Sequence, residues 1–428
     1  MSVATNYAPA ATEAELAGVR VPIAWRDPVV SAIMAVLTLV LALASHGTSV
    51  VSLKGASSWM PDVVWHAPAG LCTWILAVLA VLVTAYVWML ALRRQRVPGW
   101  TLVLVGLFFI CAFLLWMVAG RDYSLQVVSL LAGGLALSTP LVFGALAGVI
   151  NERSGTINIA IEGQLLFGAF AGAITASVFG TPWMGLVGAP IAGALVGALL
   201  GVFTIKYRAD HIVVGVVLNM LVLGVTAFVF STLLRDAPHL NQAMRLPTIA
   251  IPVLQDIPVI GPVLFRQSVL VYMMYAAVIV LQFALFSTRW GLRLRSVGEK
   301  PQAADTVGIK VNQIRWRAVM LGGAVAGLGG AFLTVGAGLA FAKDMSAGKG
   351  FIALAAMILG RWNPVGAMMA ALLFGFSTSL GTAMQGIGTG IPSEYMQMIP
   401  YIVTILAVAG FVGAVKPPAA EGKPYPPS

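Results

Sequence analysis

Long runs of apolar residues limit what this sequence can fold into more than any other feature. Because an α-helix rises 1.5 Å per residue, a hydrocarbon layer of about 30 Å is crossed by about 20 apolar residues. Eleven stretches meet this requirement: 28–45, 68–92, 99–120, 127–150, 163–180, 183–205, 212–234, 267–287, 317–338, 364–381 and 397–415. A further stretch, 350–360, is short and bounded by glycines, which predicts half a helix or a re-entrant segment. The sequence therefore predicts an all-α polytopic membrane protein.

The composition excludes a water-soluble enzyme. Hydrophobic residues make up 59% of the chain and charged residues only 9%, against about a quarter in soluble domains. A net charge of +10 would suggest a nucleic-acid partner for a soluble chain. In a membrane protein, the basic residues first indicate which loops face the cytoplasm. We expect contact with the lipid bilayer and no nucleic-acid partner. Cys72 and Cys111 lie inside apolar runs, so we predict neither a disulfide framework nor a metal site.

Basic residues cluster in three loops that fall on one side when the spans alternate across the membrane. These loops contain Arg93, Arg94, Arg96, Lys206, Arg208, Arg289, Arg293, Arg295, Lys300, Lys310, Arg315 and Arg317. Since Lys and Arg concentrate in cytoplasmic loops, this side is predicted to be the cytoplasm, with both termini on it. That orientation requires 350–360 to cross at least in part, which gives twelve crossings.

The chain divides into four predicted parts. Residues 1–27 form a cytoplasmic tail, 28–98 contain two additional N-terminal spans, 99–415 form a ten-span core, and the proline-rich residues 416–428 form a disordered cytoplasmic tail. We interpret the first apolar run as an uncleaved signal-anchor, although Ala42-Leu43-Ala44 resembles a cleavage site.

The ten core spans can be read as two sets of five that begin on opposite sides. Each set contains a glycine-interrupted stretch, around 151–163 and around 343–366. We therefore expect a 5+5 inverted repeat with broken helices where a solute path would lie. Small residues at four-residue spacing, as in Gly193, Gly197 and Gly201, predict close helix packing.

The sequence lacks the residues of an energy-converting site. No Gly-x-x-x-x-Gly-Lys-Ser/Thr motif occurs, so we expect no ATP binding by a P-loop in this chain. The spans contain neither an Asp/Glu/His relay nor a row of arginines, which gives little support to coupling with a proton gradient or with voltage. Any primary energy source should come from a partner.

The polar stretch 151–164 is the first candidate functional segment. Polar groups and glycines at a helix break are tolerated at membrane depth only where they are buried in protein or face water. Asn158, Glu162 and Gln164 are therefore candidates to line a solute path. The alternative for Glu162 is a structural pair with Arg153 near the cytoplasmic surface.

Two further stretches carry a candidate function. Gly298 to Gly308 predicts a short cytoplasmic helix with Pro301 in its first turn, suited to docking in a groove of another protein, although an ordinary amphipathic loop would also fit. In the stretch 348–364, Pro364 restarts a helix, and Arg361 and Trp362 are interpreted as anchors at the membrane interface rather than as ligands.

These three stretches resemble, in order and spacing, the permease subunits of bacterial ABC importers for nucleosides and simple sugars. The wider relatives include ribose and branched-chain amino acid permeases. The resemblance covers about residues 100–415 and rests on Glu152-Arg153-Ser154-Gly155 to Glu162-Gly163, on Gly298 to Gly308, and on Gly350-Phe351-Ile352-Ala353-Leu354-Ala355 to Gly366. The Glu-Arg-Ser-Gly form points to the nucleoside branch.

The resemblance implies a role for each segment. The coupling segment, within 288–316, would contact a separate ATPase subunit, which binds ATP and Mg, so this chain would hold no cofactor. Its implied coupling residues are Gly298, Glu299, Lys300, Pro301, Ala303, Ala304, Asp305 and Gly308. A solute-binding protein outside the cytoplasm, a second permease subunit or second copy, and a location in the bacterial inner membrane are also implied. Asn219 matches a family position and would line the path, or would join helices by hydrogen bonds.

We therefore predict a non-enzymatic transport subunit that moves nucleosides inward by alternating access, driven by ATP hydrolysis in its partner. The same machine for ribose or another simple sugar is the alternative within the class. A gradient-driven secondary transporter or facilitator, which also uses inverted repeats and broken helices, is the alternative from another class. A membrane scaffold without transport would predict no loss of uptake on deletion.

Overall fold

The computed structural model describes residues 25–53, 63–387, 395, 398 and 416–426. Within these ranges ten helices are long and apolar enough to span a membrane, and each coincides with a predicted run. This confirms the all-α polytopic class. The remaining predicted run, 397–415, lies outside the described residues apart from Met398. The chain forms two compact units, an N-terminal unit that ends at Val127 and a C-terminal unit that begins at Val128.

The N-terminal unit contains three long helices and a small sheet. The helices are α1 (Arg26–Ala44), α2 (Ala69–Leu92) and α3 (Gly99–Val118), and the strands are β1 (Thr48–Ser52), β2 (Val64–Pro68) and β3 (Ser124–Gln126). β1 pairs antiparallel with β2 and parallel with β3. These strands, which the sequence did not predict, satisfy the backbone groups of the segments between the helices.

The helices of the N-terminal unit pack through small residues repeated about every three or four positions. Ala35 of α1, Ala80 of α2 and Val105 of α3 meet in one buried cluster. This periodicity turns one face of each helix toward its neighbours. Because α3 takes part in this cluster, it packs with α1 and α2; the assignment of residues from 99 onward to a ten-span core stays a prediction.

The C-terminal unit contains the other helices in chain order. They are α4 (Val127–Arg153), α5 (Ile161–Phe179), α6 (Pro182–Gly201), α7 (His211–Val229), α8 (Ile260–Leu264), α9 (Val269–Ser287), α10 (Arg289–Glu299), α11 (Pro301–Thr306), α12 (Val311–Ala331), α13 (Lys349–Leu359) and α14 (Pro364–Gly386). A five-residue π-helical turn extends each of α6, α7 and α12. Between α7 and α9, strands β4 (Thr248–Ala250) and β5 (Arg266–Ser268) pair antiparallel.

Helices α5, α6 and α12 form the centre of the C-terminal unit. A Cβ atom at Gly193 of α6 would overlap the carbonyl oxygen of Gly323 in α12, and one at Gly168 of α5 would overlap that of Gly327. Glycine is required here because the backbones themselves are in contact. The prediction of close packing along Gly193, Gly197 and Gly201 is confirmed, since each of these glycines faces α12.

Two interruptions divide helices of this unit. Residues 154–160 separate α4 from α5, and the short α13, flanked by residues 337–348 and 360–363, precedes α14. The eleven-residue α13 matches the predicted half-helix. We refer to residues 154–160 as the first break and to residues 337–363, which include α13, as the second break. The inverted repeat that would relate these breaks stays a prediction.

Candidate functional site

The first break is built from buried polar residues at the end of α4. Gly155 has φ +92°, and the backbone N–H of Thr156 donates to the carbonyl of Asn151 over 3.1 Å, so α4 ends in a left-handed turn. The side chains of Ser154, Thr156 and Asn158 are fully buried. This backbone therefore leaves helical geometry inside the protein and not against lipid, as the membrane environment requires.

Asn158 and Gln164 contact each other across the first break. The Nδ2 of Asn158 donates to the Oε1 of Gln164 over 3.0 Å, and both side chains are fully buried. Their other amide atoms, together with both amide atoms of Asn151 and the hydroxyl of Thr156, have no hydrogen-bond partner among the described residues. Burying a polar atom without a hydrogen-bond partner costs free energy, so these unpaired atoms are candidates to bind a polar molecule.

Glu162 joins the two breaks. Its Oε1 accepts from the backbone N–H of Gly348 over 2.8 Å, and its Oε2 accepts from that of Gly350 over 2.5 Å. Glu162 lies in the first turn of α5, and these donors lie at the first turn of α13, so one carboxylate sits at two helix N-termini. The positive ends of both helix dipoles favour a negative charge there.

This geometry corrects the interpretation in which Glu162 pairs with Arg153. The Arg153 side chain instead donates from Nε to the carbonyl of Trp362 over 3.0 Å. Trp362 is 6% exposed and donates from Nε1 to the Oε2 of Glu152 over 2.5 Å, so its side chain packs inside the protein, and its position at the membrane interface stays a prediction. The end of α4 is therefore bonded to the last residues of the second break. Glu162 is bonded to the start of α13 in the middle of the same break.

Asn219 on α7 satisfies one backbone group of the first break and one of α5. Its Oδ1 accepts from the N–H of Gly163 over 2.8 Å, and its Nδ2 donates to the carbonyl of Ile159 over 2.9 Å. His211, at the start of α7, accepts from the N–H of Ile157 at its Nδ1. The amide of Asn219 thus joins helices, the alternative left open by the sequence, and a role in lining a path stays a prediction.

The coupling segment forms two short helices, α10 and α11, joined at Lys300. A Cβ atom at Gly298 would overlap the carbonyl oxygen of Arg153, so this glycine lets the segment contact the end of α4 directly. Pro301 opens α11, as predicted, and Gly308, with φ +81°, follows its end. The segment is therefore in contact with the first break.

The two sides of α11 differ in exposure. Ala304 is 3% exposed and packs in a cluster with Val297 and Val311, whereas Ala303 is exposed. Exposed with it are Glu299, Lys300, Gln302, Thr306, Val307 and Gly308. Of the predicted coupling residues, Ala304 and Gly298 are thus buried supports, and Ala303 lies on the face open to a partner.

The C-terminal residues 416–426 are ordered, unlike the predicted disordered tail. The N–H of Ala420 donates to the carbonyl of Gly298 over 2.9 Å, and the N–H of Gly422 donates to the carbonyl of Gly155 over 3.0 Å. The hydroxyl of Tyr425 donates to the Oδ2 of Asp305 over 2.6 Å. We call residues 416–426 the C-terminal strap. It contacts both the coupling segment and the first break.

Two buried side chains, those of Arg315 and Glu152, contact the strap. The Nη1 of Arg315, on α12, donates to the carbonyl of Lys423 over 2.8 Å, and the carboxyl of Glu421 lies close to that of Glu152. Burial raises the pKa of Glu421 above its ordinary value. A mainly apolar cleft of about 560 Å³ lies between the strap and the two breaks, with Glu152 and Glu421 among its lining residues.

The structure thus brings the four predicted path residues, Asn158, Glu162, Gln164 and Asn219, to one place, and it connects that place to the coupling segment. Sequence reasoning missed the supporting residues Glu152, Trp362, Arg315, Glu421 and Tyr425. The partner of each lies more than 100 positions away in the chain, so no local motif indicates these contacts.

Comparison with known proteins identifies the family. The model of the branched-chain amino acid transport system permease component matches residues 130–408. The nucleoside ABC transporter permease protein NupC of Lactococcus lactis is 42% identical over 312 residues, which cover 71% of this chain and 97% of NupC. The guanosine ABC transporter permease protein NupQ of Bacillus subtilis is 41% identical over 314 residues, which cover 70% of this chain and 97% of NupQ.

A more distant relative has a different named solute. The putative glucose ABC transporter permease protein TsgC13 of Haloferax volcanii is 29% identical over 298 residues, which cover 65% of this chain and 90% of TsgC13. No solved structure matches the chain. The family match spans both breaks, the coupling segment and the helices that hold them, and this chain belongs to the family of branched-chain amino acid transport system permease components.

Proposed function

We propose that this chain is the membrane-spanning permease of an ATP-driven importer for nucleosides and moves its solute inward by alternating access. The observation that carries the proposal is the direct contact of Gly298, in the coupling segment, with Arg153 at the end of α4 and with Gly155 of the first break. A movement imposed on the coupling segment would reach the buried amides through this contact.

The substrate class rests on the relatives. The chain covers 97% of two permeases whose names state nucleoside or guanosine transport, at 42% and 41% identity. Buried amide and hydroxyl groups in the first break suit a polar, uncharged solute. The likeness to a putative glucose permease at 29% identity supports a simple sugar as the second candidate.

The partners are inferred from the relatives, which are named as permease proteins of ABC transporters. A separate ATPase subunit would bind ATP and Mg and would dock on the exposed side of α11, around Ala303 and Val307. A solute-binding protein would deliver the nucleoside from outside, and a second permease subunit or a second copy would complete the pathway. The complex would lie in the bacterial inner membrane, with both termini of this chain in the cytoplasm.

Uptake measurements test this function. Labelled nucleosides, with ribose and leucine as comparators, would be supplied to cells with and without the gene, and again with a hydrolysis-dead partner ATPase. We expect nucleoside uptake to be lost in both altered backgrounds. Uptake that needs the gene but survives the dead ATPase would favour a facilitator, and unchanged nucleoside uptake with lost ribose uptake would favour the sugar candidate.

A pair of neighbouring alanines tests the docking face. Ala303→Trp should lower solute-stimulated ATP hydrolysis at least about fivefold with normal protein levels, because the new side chain stands on the exposed face. Ala304→Trp should instead reduce the amount of folded protein, because Ala304 is 3% exposed. Equal effects of the two variants on protein level would contradict a docking role for this face.

Variants of two asparagines distinguish a residue that lines the path from a residue that supports the fold. Asn158→Ala should raise the KM for nucleoside with protein level maintained, because the Oδ1 of Asn158 has no partner among the described residues. Asn219→Ala should lower the amount of folded protein, because its amide atoms bond the backbone of Ile159 in the first break and of Gly163 in α5. A pure assembly defect in Asn158→Ala would remove this residue from the proposed path.

A further inference from the structure

The C-terminal strap is hydrogen-bonded to several separate parts of the C-terminal unit. Along eleven residues it bonds the end of α10 through Ala420, the first break through Gly422, α12 through Lys423 and α11 through Tyr425. Four separate parts of the C-terminal unit are therefore connected by one short segment.

The strap is partly buried in the C-terminal unit. Pro418 and Ala420 are buried, and the carbonyls of Ala420 and Lys423 both face the guanidinium of Arg315, which is 2% exposed. A Cβ atom at Gly422 would lie 2.8 Å from the Cδ1 of Ile157, so the strap backbone packs directly on a side chain of the first break. These contacts fix both its register and its depth.

The strap leaves the exposed side of α11 open. Tyr425 packs with the buried cluster of Val297, Ala304 and Val311, on the opposite side from Ala303 and Val307. A segment that blocked the docking of a partner would cover the exposed residues. The strap therefore supports the coupling segment from behind and does not compete for its outer face.

We propose that the C-terminal strap is a mechanical tie that holds the coupling segment against the first break and so passes movement of a docked ATPase to the buried amides. This proposal rests on the proposed function, since it assigns the strap to the transmission step of ATP-driven import. Tyr425 is a positioning residue in it, acting through Asp305.

The decisive measurement is the number of nucleoside molecules imported per ATP hydrolysed by the complete complex in proteoliposomes. A chain that ends at Lys416 lacks the bonds of the strap, and we expect this ratio to fall at least fivefold. Tyr425→Phe removes one hydroxyl, and we expect a two- to threefold fall. A chain that ends at Pro426 keeps every contact named above and should retain the ratio of the full chain.

A second readout needs no ATPase. With Cys72 and Cys111 replaced, Ile157→Cys reports through its rate of maleimide labelling whether the strap covers the first break. We expect labelling to be several-fold faster when the chain ends at Lys416, and unchanged when it ends at Pro426. If the shortened chain fails to reach the membrane, Tyr425→Phe alone decides.

The outcomes separate the two proposals. If the full chain imports no nucleoside with ATP, the proposed function fails, and the labelling rate still reports on the tie. If the full chain imports nucleoside and Tyr425→Phe keeps the ratio, the tie is refuted and the function stands. A rise in both ATP hydrolysis and import at constant ratio on shortening would make the strap an inhibitor and would also overturn the tie.

Discussion

Among the described residues, the most buried spanning helices belong to the C-terminal unit, although its α7 is buried to only 28%, like the helices α1 and α2 of the N-terminal unit. In α1 and α2, 28% of the most apolar stretch is buried within the protein, against 67% in α5 and 72% in α12. The order of hydropathy is the reverse, since α5 is the least apolar spanning helix among the described residues. Lipid is as apolar as Leu, so apolarity alone does not drive a spanning helix into the protein.

The difference lies in what the contact surfaces are made of. In α2 the buried positions are small side chains such as Ala77, Ala80 and Thr84, while Leu71 and Leu82 stay exposed. At the crossing of α6 and α12 the backbones themselves meet, at Gly193 and Gly323. Close backbone approach increases dispersion contact, so helices of lower apolarity become the most buried.

The largest expected difference between the two units comes from replacing one glycine in each of them by valine. Gly193→Val places a branched side chain against the backbone of α12, and we expect a loss of about 3 kcal/mol or more in the free energy of unfolding. Gly106→Val on α3 meets no atom within 4 Å of the new Cβ and should leave stability unchanged. Thermal unfolding in detergent and the amount of protein in the membrane measure both. Equal losses would show that the N-terminal unit packs as tightly.

A leucine pair gives the next largest effect. Leu146→Ala removes a fully buried side chain of α4, and we expect a cost of about 2–4 kcal/mol from the cavity and the lost dispersion contacts. Leu82→Ala on α2, where the side chain is 60% exposed, should change stability by less than about 0.5 kcal/mol. Unfolding midpoints in a denaturing detergent titration compare the two variants. A cost above 1 kcal/mol for Leu82→Ala would contradict its placement outside the packed interior.

The same contrast explains which parts of the fold were predictable. Spans depend on length and apolarity, both local properties, so every predicted run within the described ranges is a helix. The position of α3 depends on which face meets Ala35 and Ala80, and hydropathy carries no such information. The short strands β1 to β5 consist of three to five residues, below the length at which alternation is recognisable.

The site was predictable in its location and not in its contacts. Polar residues interrupting an apolar pattern marked the first break, but the carboxylate of Glu162 finds backbone donors 186 and 188 positions away. Proline-rich composition predicted disorder for the strap, because proline prevents helix and sheet. Pro418 and Pro424 nevertheless leave the N–H groups of Ala420 and Gly422 free to donate to the carbonyls of Gly298 and Gly155, from a turn over residues 419–422.

Removing a single side-chain hydrogen bond in each unit should have smaller effects on stability. In the C-terminal unit, Glu162→Gln replaces one accepting oxygen by an NH2 group that faces a backbone donor of α13, and we expect a loss of about 1–2 kcal/mol. Asp344→Asn, an exposed carboxylate close to α13, serves as the control and should change stability by less than about 0.5 kcal/mol. Thermal unfolding measures both. A neutral Glu162→Gln would mean that the dipoles of α5 and α13 do not require the charge.

The smallest expected effect belongs to a polar connection in the N-terminal unit. The Nε1 of Trp88 on α2 donates to the carbonyl of Pro28 on α1 over 3.0 Å. Trp88→Phe removes this neutral bond but keeps an aromatic ring beside Trp25, so we expect a loss of about 0.5–1 kcal/mol. Trp74→Phe, at a side chain 43% exposed on the same helix, is the matched control for ring size. Because both Trp88 partners are neutral, its loss should stay below that of Glu162→Gln; a larger loss would mean that polar contacts, rather than small-residue stripes, hold the N-terminal helices together.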